Sequence, residues 1–538
     1  MFPRPFSPPI PDQGSGDDSS SGSVANQYVG EDGLYLLHSA IAIGASYDSV
    51  ERYPPPRCHP QTRMVIFEII LAWLKDSTHG PSIMLIHGSG GSGKSAISQT
   101  VAEYCAQSGQ LGATFFFSHG KGDLSNGKLV FPTLAYKLAS SIPEIRSPLS
   151  RAIQVDTSVL TQSLNVQVQK LIVEPFKSIP HPIIPWLIII DALDACEDDE
   201  TQHQILSLIV QLLVVHRLPL CFIITGRLQP NVQATFDTPI LRKLSNRINL
   251  DTFTSDIDVR TFLRSEFSSI RHYHRHIMAA IPEPWPSDDV IELLVQKSCG
   301  QFLYPSTVVK FVDDKSIRPA ERLVEVVVAA ASDSVLSPVD QLYHHILSSS
   351  TNHSVLLRAL GTIVVLFSPL SSKAIELLLD LRHGELCEAL KGMYAIVDVP
   401  DPAISPVRTA QIHQMSVVEF LMDAERSLQF WIDPRRHHTD LVRGCIRYIA
   451  EYMDNADKLD PTSSLYIRRK WTLHLSQATP SAELMEDLRE PRFLYSRVLS
   501  EVRAVVGWLK YISSPPQDVL HLWRTWESQL LGTPHFIP

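Results

Sequence analysis

No segment of this chain concentrates lysine and arginine as a DNA-tracking surface would, and its formal net charge is −10 over 538 residues. A surface that tracks a phosphate backbone needs such a basic concentration, so nucleic acid is not expected as a main partner. No two cysteines are spaced as CxxC. The seven present (Cys58, Cys105, Cys196, Cys221, Cys299, Cys387, Cys445) are scattered and odd in number. That argues against a disulfide scaffold or a zinc site and suits a reducing, cytoplasmic setting. Long apolar runs are missing too: 206–215 and 359–366 fall short of the roughly 20 residues that span a bilayer, so no membrane span is expected. Residues 1–23 lack the apolar stretch of a signal peptide, and no repeat with a period of 20–50 residues is present.

What is there reads as several domains, because 538 residues exceed what one core holds. Residues 1–33, rich in Pro, Ser, Gly and Asp, read as a disordered leader. Residues 34–80 read as an N-terminal linker and helix. Their apolar patch at 34–45 is read as a helix packed on the next domain rather than as a docking segment. Prolines 54, 55, 56 and 60 then impose an extended stretch, before helical periodicity from Thr62 to Leu74. Strands are predicted at 82–87, 113–117, 186–191, 220–225 and 247–250, separated by helices. Continuous apolar runs such as Trp186-Leu187-Ile188-Ile189-Ile190 mark parallel strands buried on both faces, so the fold class is a three-layer α/β domain over 81–251. Strand signals fade beyond it, and helical units are expected at 252–336, 337–425 and 426–538.

Gly88-Ser89-Gly90-Gly91-Ser92-Gly93-Lys94-Ser95 matches the full G-x-x-x-x-G-K-[ST] pattern, directly after an apolar strand and before a helical segment. Glycines let such a loop wrap its backbone N–H groups around phosphate oxygens. Lys94 is placed to meet the β and γ phosphates, and the Ser95 hydroxyl to coordinate Mg²⁺. The expected ligand is ATP or GTP with Mg²⁺. Asp191 follows five apolar residues at a strand end, where a carboxylate joins Ser95 in serving the metal. Asp194 is three residues further on and could position water. Arg227, after the strand that ends at Thr225, could read the γ-phosphate through charge-assisted hydrogen bonds.

The order of these pieces resembles the NACHT branch of the signalling (STAND) P-loop NTPases, and within it the fungal nephrocystin-like N-terminal set. The residues that carry the resemblance are distributed: Tyr53 to Arg63, Phe115 to Ser118, Phe131 to Ala139, Ile190 to Cys196, Ile224 to Arg227, Gly300 to Phe311 and Ile412 to Leu421. The resemblance covers roughly 45–440. It implies a nucleotide-binding α/β domain, then a helical domain at 252–336 and a winged-helix domain at 337–425 that closes over the nucleotide. It further implies ADP or GDP in a closed state, exchange for the triphosphate on opening, and self-association on activation with a protein partner it does not name. By the same resemblance Gly88 to Ser95 hold phosphates, Asp191 serves Mg²⁺, Arg227 reads the γ-phosphate and His413 touches the β-phosphate of the diphosphate. Fungal incompatibility or innate-immune-like signalling is the implied role.

Three departures bear on catalysis. Ala195 stands where the family pattern has a water-activating glutamate, and Glu197 lies two positions beyond. Gly226 and Leu228 flank Arg227 in place of serine and proline. Slow hydrolysis is therefore expected, and a non-hydrolysing, nucleotide-bound scaffold is the alternative. A small-molecule kinase would need an arginine-rich lid, whereas the arginines of 228–300 are dispersed. The chain shows neither the sensor repeats nor the preceding effector domain common in the family, the pattern of a truncated or minimal member.

Overall fold

Side chains alternate between the two faces of a strand, so a strand covered on both sides must be apolar at every position. The central strands of the computed structural model follow this up to their C-terminal ends. The structure describes residues 32–532 except 77–79, 120–121, 180–184, 315–316, 333–334, 351, 399–408, 413, 453–458, 491–492, 494–497 and 513–514. Five strands, β1 (Ile83–His87), β2 (Leu111–Phe116), β3 (Trp186–Asp191), β4 (Leu220–Gly226) and β5 (Ser245–Asn249), form one parallel sheet in the order β2-β3-β4-β1-β5. Ile83, Leu85, Ile188, Ile190, Phe222 and Ile224 enter the apolar cluster on one face. Met84, Ile86, Leu187, Ile189, Cys221 and Ile223, the residues in between, enter the cluster on the other. All five strands lie within two residues of their sequence-predicted ends. β4 lies between β1 and β3, with Leu85 opposite Ile224 on one side and Ile190 opposite Ile224 on the other.

Because the strands are parallel, their C-terminal ends share one edge, where ligands of open α/β sheets bind. The loops after β1 to β5 all emerge there. The linker helix expected from Thr62 is α2 (Met64–Asp76), following α1 (Asp32–His38). α1 starts two residues inside the segment read as a leader, and residues 1–31 lie outside the described residues. Leu34 and Leu37 are buried in the same cluster as Leu149 and Ile153, so the apolar patch at 34–45 is packed on the α/β domain.

Beyond β5 the chain is mainly helical. Helices His353–Val365, Ser372–Leu378 and Glu385–Ala389 are followed by an antiparallel ribbon of β6 (Val397–Asp398) and β7 (Gln411–Ile412). Ser371 forms an isolated antiparallel bridge to Thr409, two residues before β7. A single apolar cluster runs from Val259 to Trp523, across the boundaries expected at 336 and 425. The two sheet clusters stop at Leu241 and Leu250. Among the described residues, therefore, no buried apolar cluster joins the α/β domain to the helical half. No helix among them is long and apolar enough to cross a membrane.

Candidate functional site

The loop after β1 folds as the phosphate-binding pattern requires. Gly91 and Gly93 hold φ of 80° and 96°, a left-handed region that side chains rarely adopt. Gly91 is doubly constrained, since a Cβ there would lie 2.6 Å from Leu303 of the helical half. The helix that follows, α3 (Lys94–Gln107), has no side-chain cap at its N-terminus, so its first N–H groups and its dipole are directed to the loop. Lys94 Nζ donates to the carbonyls of Gly88 and Ser89 at 2.8 Å each. Burial pulls the ammonium below the usual lysine range, opposed by Asp194 and deepened by Arg227.

Asp191 ends β3 and is 2% exposed. A buried carboxylate needs donors to offset its lost hydration. Three hydroxyls supply them: Ser95 Oγ at 2.6 Å, Ser98 Oγ at 2.7 Å and Thr225 Oγ1 at 2.7 Å. Thr225 Oγ1 also accepts from the Ala192 N–H at 3.0 Å, which fixes the turn leaving β3. Ser95 and Asp191 are thus already in contact, one hydroxyl and one carboxylate oxygen of the hard type that Mg²⁺ selects beside phosphates. The donor set fits a nucleotide with Mg²⁺.

Asp194 and Arg227 meet next to the loop. Arg227 Nε is 3.8 Å from Asp194 Oδ2, and its Nη2 would lie 3.0 Å from a Cβ at Gly90. Gly226 explains one departure from the family pattern, because a Cβ there would come to 3.0 Å from Asp194 Oδ1. Ala195 is buried, and Glu197 does not take over: its carboxylate accepts from Ser125 Oγ, on the loop that follows β2. His413 lies outside the described residues.

Several residues of the site were not singled out by the sequence. Asp251, after β5, accepts from the Ser89 N–H at 3.0 Å and from Ser89 Oγ at 2.7 Å. Gln301 of the helical half donates to the same hydroxyl at 3.1 Å. Arg63, in the extended stretch before α2, donates to the carbonyls of Ser92 (3.1 Å) and Phe253 (2.5 Å). Glu419, on the helix Met415–Met422 that follows β7, pairs with Arg227 Nη2 at 2.6 Å. Asp251 had a readable signal, its place just past a strand end. Glu419 had none, since only the packing of two domains brings it to Arg227.

A parallel sheet with this loop, an adjoining strand-end aspartate and an arginine after the next strand defines a P-loop NTPase. More particularly, residues 67–227 match the family described as Nephrocystin 3, N-terminal. No curated protein matches the sequence. Among solved structures, a Signal Transduction ATPase with Numerous Domains (STAND) protein with a tetratricopeptide repeat sensor, from Pyrococcus horikoshii, is similar at 12% identity and a TM-score of 0.38, over 86% of this chain and 64% of that one. This chain therefore spans less than two thirds of that protein's length. Drosophila ORC bound to DNA is similar at 14% identity and a TM-score of 0.36, over 70% and 97% of the two chains. The Aeropyrum pernix ORC2 protein in its ADPNP–ADP complexes is similar at 12% and 0.29, over 71% and 98%.

Proposed function

We propose that the protein is a nucleotide-dependent signalling switch of the NACHT type, closed with ADP or GDP and opened by ATP or GTP with Mg²⁺. The reading is carried by one observation, the ion pair between Arg227 of the α/β domain and Glu419 of the helix Met415–Met422. Arg227 also lies against the P-loop, within reach of the place where a γ-phosphate would end. One guanidinium then has two competing anionic partners, a domain and a ligand group. Backbone N–H groups of Gly88 to Ser95 and Lys94 hold the phosphates, while Ser95 and Asp191 hold Mg²⁺, which supplies charge neutralisation when bound. When Arg227 turns to a γ-phosphate, Glu419 loses its partner and the closed arrangement loses a contact made only there. A ligand shifts such an equilibrium by its differential interaction with the two states.

The seam around the site is suited to opening. Many of its contacts are polar, namely Arg227–Glu419, Gln301–Ser89, Arg63 with Phe253 O, and Asp258 accepting from the Arg63 N–H at 2.9 Å, beside the packing of Leu303 on Gly91. Self-association of the opened form, a cytoplasmic location and a role in fungal incompatibility or innate-immune-like signalling complete the proposal on the strength of the motif resemblance. So does the His413 contact to the β-phosphate. Ala195 favours one second reading, a scaffold that keeps its nucleotide and does not hydrolyse it.

Glu419→Ala tests the switch. The pair is about one third exposed, so solvent screening holds its worth to about 1 kcal/mol, or about fivefold in population. ADP release from the variant, followed with a fluorescent analogue, should speed up by about that factor, with a matching rise in the open or oligomeric fraction by light scattering. Wild-type release rates and assembly in a folded variant would remove Glu419 from the switch.

A further inference from the structure

Hydrolysis of a phosphoanhydride needs a group to orient water and accept its proton, and the usual carboxylate position is Ala195. Glu197 is held by Ser125. Asp194 faces the site but is 9% exposed, wedged between Gly226 and Arg227. One further side chain stands beside it. His119, on the loop after β2, places Nε2 4.0 Å from Asp194 Oδ2. Its loop is held at the strand-end edge by the Phe117 N–H, which donates to Asp191 O at 3.0 Å, and the Ser118 N–H, which donates to Leu124 O at 3.0 Å. The imidazole is 37% exposed, open to water where Asp194 is not.

On the nucleotide-binding reading above, we propose that His119 is the base for hydrolytic water and that Asp194 is its positioning carboxylate. With Nε2 turned to Asp194, the neutral ring carries its proton on Nε2 and leaves Nδ1 basic. The water oxygen bonds to Pγ and passes a proton to Nδ1. The bond from Pγ to the β–γ bridging oxygen breaks, its electron pair leaving on the diphosphate, and the imidazolium returns its proton to the released phosphate. A carboxylate behind an imidazole fixes its tautomer and stabilises the imidazolium that forms. Among the described residues, the charged groups that face His119 are Asp194 after β3, Arg227 after β4 and Glu419 on the helix Met415–Met422. Burial keeps the ring below the usual histidine range, with Arg227 adding to it and the two carboxylates opposing, so it is neutral near pH 7 and able to accept a proton. The separation of 4.0 Å is of the loose kind that closes when a substrate orders a site.

The test combines ATP titration, single-turnover hydrolysis across pH and imidazole ¹H–¹⁵N spectra on the full chain. His119→Ala should keep ATP affinity within about twofold, lose about a hundredfold in single-turnover rate and lose the acid limb of the pH profile. Asp194→Asn should move the His119 titration midpoint down, because a carboxylate that favours the imidazolium is gone. If His119→Ala does not fold, His119→Asn stands in for it in the rate and affinity measurements. An unchanged rate with the acid limb intact overturns the proposal, as does a His119 midpoint that ignores Asp194→Asn. A wild-type protein that binds ATP and never turns it over overturns this inference and leaves the switch standing, whereas one that binds no nucleotide overturns both.

Discussion

Two buried polar clusters, one in each half of the molecule, use similar chemistry to opposite ends. In the α/β domain Asp191 gathers Ser95, Ser98 and Thr225, and two further charged groups, Lys94 and Arg227, lie nearby. In the helical half His438 Nδ1 meets His474 Nδ1 at 2.8 Å, and His474 Nε2 meets the Tyr466 hydroxyl at 2.8 Å. Tyr466 in turn accepts from the Phe367 N–H at 3.0 Å, so this chain of groups ends on the backbone. The first cluster sits at a strand-end edge with a net appetite for cations and phosphates. The second is sealed and neutral, joining the helices Pro434–Tyr452 and Pro461–Gln477. Burial alone therefore does not mark a functional site; charge left facing a loop does.

The contrast is open to attack, most forcefully at Lys94. Lys94→Ala removes the point charge that meets the β and γ oxygens. Nucleotide affinity should fall by a hundredfold or more by calorimetry, while the melting temperature without nucleotide changes little. Unchanged affinity in a folded variant would mean that the two clusters differ less than their surroundings imply.

Acid should distinguish the clusters next. Burial holds His438 down to about 4 and His474 down to about 3. The unfolded chain takes up protons near 6.5 and the folded chain does not, so stability is full above pH 6.5 and is lost as pH falls from there towards 4. Over the two imidazoles the loss should reach roughly 5 kcal/mol by pH 4.5 in denaturant titrations. His438→Leu combined with His474→Leu should flatten that slope and leave nucleotide affinity at pH 7 untouched.

The mildest expected effect is at Asp191. Asp191→Asn keeps a hydrogen-bonding side chain among the three hydroxyls and removes the charge. Affinity for ATP should change severalfold at most, but its dependence on Mg²⁺ should weaken. Magnesium dependence equal to that of the wild type would make Asp191 a structural acceptor, as closed a case as Tyr466.

The sheet was legible because its determinants are local. Trp186 to Ile190 can only be a strand covered on both faces, and Gly88 to Ser95 bring their own conformational demands. The same locality located Asp191, Asp194 and Arg227 at one edge. Strand order was not legible, since β4 enters between β1 and β3 through crossovers whose destination no single segment encodes. Nor were the contacts across domains. Glu419 lay in plain view within the segment Ile412 to Leu421, and Leu303 within Gly300 to Phe311, yet what each touches depends on how separate units pack. His119 was hidden for a further reason: a histidine three residues past an aromatic strand end is indistinguishable from any loop histidine until Asp194 is seen beside it.

The polar seam between the halves has one more consequence, and it concerns the solvent rather than the chain. Apolar contacts are not weakened by screening, whereas exposed ion pairs are damped over a Debye length of about 8 Å at physiological ionic strength. A joint fastened by Arg227 and Glu419, each about one third open to water, is thus set in part by the medium around it. Ions too small to have a binding site of their own would share in deciding how firmly the two halves rest together.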